Sequence, residues 1–218
     1  PAEFFYQNSM IQNNLIHGSF LAGVKNLVFL GSSCIYPKYS SQPIKETELL
    51  NGKLEFTNQA YAIAKISGIE MCRSYNIQYG TNYKCLMPTN LYGPNDNYEL
   101  NSSHFFAAAV RKLFEARKLK KKVVKFWGTG NPKREAMFVD DLAEAVIFFL
   151  NKKTNENLIN IGSGYELKIK EYLRIIAKLL DFEGTIKFSH NKLMDGTPRK
   201  IVNTSLAKKL GWKSKYNF

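Results

Sequence analysis

Tyr61 and Lys65 stand four residues apart in "AYAIAKISGIEMCRSYNIQYG" (60–80), a stretch whose pattern and terminal Gly80 predict a long helix. That spacing places both side chains on one helix face, one turn apart. A phenol with a pKa of about 10 exchanges protons poorly near neutrality, and a neighbouring ammonium favours the phenolate. Such pairs are common on solvated helix faces, so the spacing alone carries little. Ser32 adds to it. It lies in "LVFLGSSCIYP" (27–37), where four apolar residues predict a buried strand that runs through Gly31 into Ser32, Ser33 and Cys34. Open α/β sheets place ligands at the carboxyl ends of their parallel strands. There the three groups can act on one carbonyl: Ser32 donates a hydrogen bond, Tyr61 supplies the proton and Lys65 tunes Tyr61. This is the chemistry of carbonyl reduction by hydride from a nicotinamide.

The elements that must position these groups alternate along the chain. Met10, Ile11, Leu15, Ile16 and Phe20 predict a helix over 7–23, ahead of the strand at 27–30. After a polar loop (38–57) and the helix of Tyr61, "YKCLMPTNLYGP" (83–94) reads as a short strand broken by Pro88 and Pro94. Further on, 105–118 reads as a helix, "VVKFWG" as a strand and "VDDLAEAVIFFLN" as a helix opened by Asp140 or Asp141. "NLINIGSG" is a strand and "LKIKEYLRIIAKLL" a strongly amphipathic helix. This order predicts an α/β, doubly wound parallel sheet. "GTG" (128–130) and "GSG" (162–164) do not extend to GxGxxG and read as turns. No repeat or low-complexity linker divides the chain, so a second lobe must be interleaved with the first.

With 218 residues, 44% of them hydrophobic, the chain can bury one sizeable core with a smaller lobe attached. No apolar run approaches the roughly 18 residues of a membrane span, and the first residues lack the features of a signal peptide. Cys34, Cys72 and Cys85 form no CxxC pair, which argues against a disulfide framework or a metal site and fits a reducing cytoplasm. The net charge of +13 admits nucleic acid, a membrane surface or an anionic small molecule. Its densest run, "RKLKKKVVK" (117–125), sits at a predicted helix end, where cations complement the dipole. Without aromatic interleaving or a recognition motif, nucleic acid is not expected as a partner.

"SSCIY", "YAIAK", "MPTNLYGPND", "NSSHF", "FWGTGNPKREAMFVDDLAEA" and "DGTPRK" together resemble the extended short-chain dehydrogenase/reductases, over nearly the whole chain. Within them the pattern is most similar to the branch that epimerises and reduces GDP-4-keto-6-deoxy-D-mannose. The resemblance implies a Rossmann-like sheet from 1–94 and about 135–162, with a substrate-binding lobe from about 95–134 and 163–218. It makes Ser32, Tyr61 and Lys65 the reductive triad, and Cys34 with His104 the epimerising pair. NADP(H) would lie against Leu30, Gly31, Ser32, Ser33, Lys65, Pro88, Thr89, Asn90, Leu91 and His104. The GDP-sugar would be held by Lys112, Trp127, Arg134 and Asp195. The resemblance also implies a homodimer formed by the helix of Tyr61 and the helix before the Ser32 strand.

The chemistry agrees with those roles. A 4-keto group acidifies the protons at C3 and C5, and a thiol and an imidazole are the natural acid and base near neutrality. Without the resemblance, Cys34 reads as a small buried hydrophobe and His104 as a polar residue at a helix start. Lys112 and Arg134 then read as surface ion-pair cations, and Trp127 as a core indole. Two alternatives share part of the pattern: another nucleotide-sugar epimerase or dehydratase, which has no need of Cys34 with His104, and a catalytically silent basic module. Members of the family begin with a strand and a glycine-rich turn ahead of the equivalent of Pro1. The chain is therefore expected to be a segment lacking the N-terminal βα units, and inactive by itself.

Overall fold

The computed structural model describes residues 1–100, 102–189, 191 and 195–218. Helix α1 (Ala2–Leu21) leads into strand β1 (Asn26–Leu30), which is followed after a long loop by α2 (Gln59–Tyr79) and β2 (Asn82–Pro88). Gly80 ends α2 in the left-handed conformation, its N–H bonded to the Asn76 carbonyl. The Asn76 side chain accepts from Thr81 Oγ1 and Tyr83 N, so the same corner starts β2. After β3 (Asn90–Tyr92) come α3 (Phe105–Lys118), β4 (Val123–Phe126), β5 (Lys133–Phe138) and α4 (Val139–Asn151). Next are β6 (Leu158–Ile161), β7 (Glu166–Lys168) and α5 (Ile169–Leu179). The chain then forms β8 (Thr185–Phe188), β9 (Arg199–Lys200) and the short α6 (Ser205–Lys209).

The fold is α/β. Strands β1, β2 and β6 form a parallel sheet in the order β1-β2-β6. Alternation along β2 divides its two faces. Tyr83, Cys85 and Met87 pack with Ile16, Phe29, Ile69 and Cys72 beneath α1 and α2. Leu86 faces the other way, into a core with Leu142, Phe149, Ile159, Ile161 and Trp212 under α4. Strand β5 organises a second group. It runs parallel to β3 and β9 and antiparallel to β7, while β4 and β8 form a separate parallel pair covered by α3 and α5.

Several expectations change. The first helix spans Ala2–Leu21 rather than 7–23, and of its apolar residues Ile16 is buried while Met10, Ile11 and Leu15 are exposed. The loop at 38–57 contains two short 3-10 turns, Glu46–Glu48 and Phe56–Asn58. Helix α4 is not opened by an aspartate cap: Phe138 holds the capping position and makes no side-chain bond. Asp141 is buried in the first turn and accepts from Lys215 N and Tyr216 N, fastening the last residues of the chain. Strands β5, β7, β8 and β9 had no signal in hydrophobic period. Strands β7, β8 and β9 have three, four and two residues, too few for an alternation to stand out, and β5 opens on three charged residues. Among the described residues no helix is long and apolar enough to cross a membrane.

Phe149 is fully buried between α4 and the parallel sheet, with its ring 6.4 Å from that of Trp212. Replacing it with Ala is expected to remove about 3–5 kcal/mol of stability, read as a lower urea midpoint.

Candidate active site

Strand β1 ends at Leu30, but the ladder continues one residue further through Gly31 N to the Leu86 carbonyl. A Cβ at Gly31 would meet the tip of the Met87 side chain, which would have to move aside for any other residue. Ser32 then turns the chain. Its extended backbone caps a 3-10 turn at Ser33–Ile35, and its Oγ accepts from Cys34 N at 3.1 Å. Tyr36 secures the far side of the turn by donating to Asn160 Oδ1 at 2.6 Å. The Asn160 amide in turn donates to the Ile44 carbonyl, which ties the turn to β6 and the following loop.

Helix α2 brings Tyr61 and Lys65 to the same strand end. Lys65 Nζ donates to the Leu30 carbonyl at 3.0 Å and lies 5.8 Å from the centre of the Tyr61 ring. Burial pushes the Tyr61 phenol up, the charge of Cys34 adds to this, and a hydrogen bond with Ser32 opposes both. Lys65 is not among the causes of the Tyr61 shift in this arrangement. The ammonium is anchored to a backbone carbonyl and lies over the ring, and burial lowers its own pKa. Tyr61 accordingly keeps its proton at neutrality.

Cys34 has a partner that spacing could not reveal. Lys200 Nζ lies 3.0 Å from Cys34 Sγ, joining positions 166 residues apart. Burial would raise the thiol. The Lys200 charge, hydrogen bonds with Ser32 and Lys200, and the charge of Arg134 outweigh it and hold Cys34 below its ordinary value. Cys34, Pro37, Lys38, Glu55, Thr197 and Lys200 line one cleft. Lys200 ends the motif "DGTPRK", but only the pairing of β9 with β5 places it opposite Arg134 and beside the thiol.

The other predicted residues fall into two groups. Ser33 and Thr89 are buried, Pro88, Asn90 and Leu91 are partly exposed, and Leu30 is 39% exposed at the end of β1, next to the buried Phe29. His104 occupies the capping position of α3 with an exposed side chain, and no hydrogen bond joins it to Cys34 among the described residues. Trp127 is exposed beside the Gly128 turn, and Lys112 Nζ lies over the Phe126 ring at 4.8 Å. Arg134 donates to the Thr197 and Asp195 carbonyls, while the Asp195 carboxylate accepts from Thr129 N and Oγ1, each at 2.7 Å. Arg134 and Asp195 thus close the loop that carries Thr197 toward Cys34. A wider groove lined by Thr129, Lys170, Arg174, Lys187 and Phe188 contains none of the predicted catalytic residues.

Ser32 at a parallel strand end, with Tyr61 and Lys65 of α2 and the Cys34 thiol gathered beside it, is an arrangement of an α/β fold that can act on a carbonyl. Residues 1–162 match the NAD dependent epimerase/dehydratase family, and the chain belongs to that family. It is 47% identical over 215 residues to a GDP-L-fucose synthase of Sinorhizobium fredii, covering 99% of this chain and 68% of that protein. The GDP-L-fucose synthase of Escherichia coli is 46% identical over 221 residues, with 97% and 68% covered. GDP-L-fucose synthase 1 of Arabidopsis thaliana is 47% identical, and the chain spans 66% of its length. Among solved structures, a GDP-6-OMe-4-keto-L-xylo-heptose reductase from C. jejuni superposes with a TM-score of 0.91 at 36% identity, covering all of this chain and 73% of that one. A GDP-L-fucose synthetase from Naegleria fowleri bound to NADP also gives 0.91, at 25% identity, with 100% and 69% covered.

Lys200→Met removes the charge that opposes burial at Cys34. The pH midpoint of thiol alkylation is expected to rise, with less thiolate at neutrality; an unchanged midpoint in folded protein would show that Lys200 does not activate the thiol.

Proposed function

We propose that this chain carries the active site of a GDP-L-fucose synthase, which epimerises GDP-4-keto-6-deoxy-D-mannose at C3 and C5 and then reduces C4 with NADPH. The observation that carries this reading is the Lys200 ammonium 3.0 Å from the Cys34 sulfur, two residues beyond Ser32. A 4-epimerase or dehydratase has no need of an activated thiol there. Identities of 46–47% to GDP-L-fucose synthases along nearly the whole chain support the same substrate.

The residues present fit the cofactor. Leu30 offers exposed apolar surface at the strand end, and Lys65 has two further N–H donors beyond the one on the Leu30 carbonyl. Lys65 would hold the nicotinamide ribose, with Leu30–Ser33, Pro88–Leu91 and His104 around the cofactor. When bound, NADPH supplies the hydride for C4. Cys34, as thiolate, takes a proton from the carbon beside the ketone, and His104 returns one on the opposite face. Ser32 donates a hydrogen bond to the ketone oxygen, and Tyr61 gives it the proton that completes the alcohol. Lys112, Trp127, Arg134 and Asp195 would hold the GDP-sugar. Residues 1–94 and about 135–162 would form the cofactor-binding part, and about 95–134 and 163–218 the substrate lobe.

The enzyme would act as a homodimer in the cytoplasm. Phe4, Ile11 and Leu15 form an exposed apolar stripe along α1, beside Ile63 on α2. The three cysteines are free thiols, in keeping with a reducing compartment. Leu15→Glu is expected to give a monomer by light scattering, and an unchanged mass would place the dimer contact elsewhere.

The function is tested by following NADPH oxidation with GDP-4-keto-6-deoxy-D-mannose and the full-length protein. Turnover is expected, with a loss of about 100-fold or more in Tyr61→Phe. The absence of NADPH oxidation by the unsubstituted protein would contradict the assignment.

A further inference from the structure

Lys200 can act on Cys34 only if β9 is held against β5, and β9 is two residues long. A pairing this short supplies few bonds of its own. Lys133 N donates to the Pro198 carbonyl on one side of it, and Ile201 N to Gln42 Oε1 on the other. Two carboxylates meet at this junction: Glu166 on β7 pairs with Arg199 of β9 and with Lys133, and Glu135, the residue after Arg134 on β5, faces the segment beyond Lys200. Glu135 is fully buried. Its Oε2 accepts from Val202 N at 3.0 Å and its Oε1 from Gly164 N at 2.6 Å. Its backbone carbonyl accepts from Asn90 Nδ2 at 2.9 Å and from Thr89 Oγ1 at 3.3 Å.

One residue therefore ties the strand end at 89–90, the turn at 162–164 and the segment two residues beyond Lys200. The "GSG" turn makes room for it. A Cβ at Gly162 would lie 2.3 Å from Glu135 Oε1 and 2.9 Å from Val202 Cγ2. Gly164, at a φ of +75°, turns its N–H onto the same oxygen.

We propose that Glu135 is a positioning residue for Cys34: its buried carboxylate fixes the segment that holds the Lys200 ammonium on the thiol. Two backbone N–H groups, one on each oxygen, need an acceptor at both ends of the side chain. A carboxylate offers this and an amide does not, because one end of an amide is itself a donor. On its downstream side β9 is also tied by Ile44, whose N–H donates to the Ile201 carbonyl and whose carbonyl accepts from Asn203 N, but those ties reach it from the 42–44 loop. Losing the Val202 bond removes the downstream tie to β5 itself and loosens the hold of Lys200 on the sulfur. The groups that act on Cys34 are Ser32, Tyr61, Arg134 and Lys200, with Lys38 and Glu55 lining the same cleft, and of these Lys200 is two residues from the Val202 anchor.

The inference rests on the reading of Cys34 as a proton-transfer group, but its test needs no sugar nucleotide. In the full-length protein, alkylation of Cys34 by iodoacetamide is followed against pH by mass spectrometry of the Cys34 peptide, with Cys72 and Cys85 buried. Glu135→Gln is expected to raise the midpoint by about one pH unit and to slow alkylation about tenfold below it. Glu135→Asp keeps the charge but cannot span both donors, and is expected to fall between. A wild-type profile in a folded Glu135→Gln protein would overturn the proposal. Should neither variant fold, the amide of Val202 in the unsubstituted protein decides: slow hydrogen exchange supports the anchor, and exchange as fast as an exposed loop amide overturns it. Failure of the unsubstituted enzyme to exchange substrate protons would instead overturn the functional reading, with the Glu135 result intact.

Discussion

The contact between the Lys200 ammonium and the Cys34 sulfur is the interaction on which the site depends. Cys34 follows the first described strand of the parallel sheet, whereas Lys200 lies near the end of the chain. They meet because β5 pairs with β9, the strand that carries Lys200. The outer half of β5 pairs with β3, and its inner half lies between β7 and β9. The burial that would silence the thiol also keeps water from screening the cations around it. Burial without Lys200 would give an inert cysteine, and Lys200 on an exposed loop would have little effect on a solvated thiol.

The same closure separates two kinds of chemistry within a few residues. Ser32 and Tyr61 belong to the strand end and to α2, and burial and the charge of Cys34 push the Tyr61 phenol up. Cys34 is turned toward β9 by the 3-10 turn that Ser32 caps. One group is held protonated and its neighbour is held ready to lose its proton. That opposition suits a sugar that must exchange protons at carbon before it receives one at oxygen. The internal ties of Arg134 and Asp195 serve the same closure, since both hold the loop that precedes Lys200.

Much of the parallel sheet was legible because its strands are apolar and its helices are long. Leu27–Leu30 and the run ending at Gly80 announced themselves by composition, and the four-residue spacing of Tyr61 and Lys65 required only that α2 exist. Ser32 and Cys34 were legible by type but not by environment. The lobe was not legible in the same way. The strands β7 and β9 have three and two residues, and their alternation is too brief to stand out from a charged loop. Lys200 and Glu135 matter through pairing across 166 and 67 residues, which no local pattern encodes. The helical period of α1 was legible, but not which side of it packs on this chain: Ile16 is buried while Met10, Ile11 and Leu15 face outward.

The division of labour between thiol and phenol is the central claim, and it is tested most directly by deuterium incorporation from solvent at C3 and C5 of GDP-4-keto-6-deoxy-D-mannose without NADPH. The Tyr61→Phe enzyme should exchange both positions close to the wild-type rate, and the Cys34→Ser enzyme should lose most of that exchange. Wild-type exchange in Cys34→Ser would contradict the account.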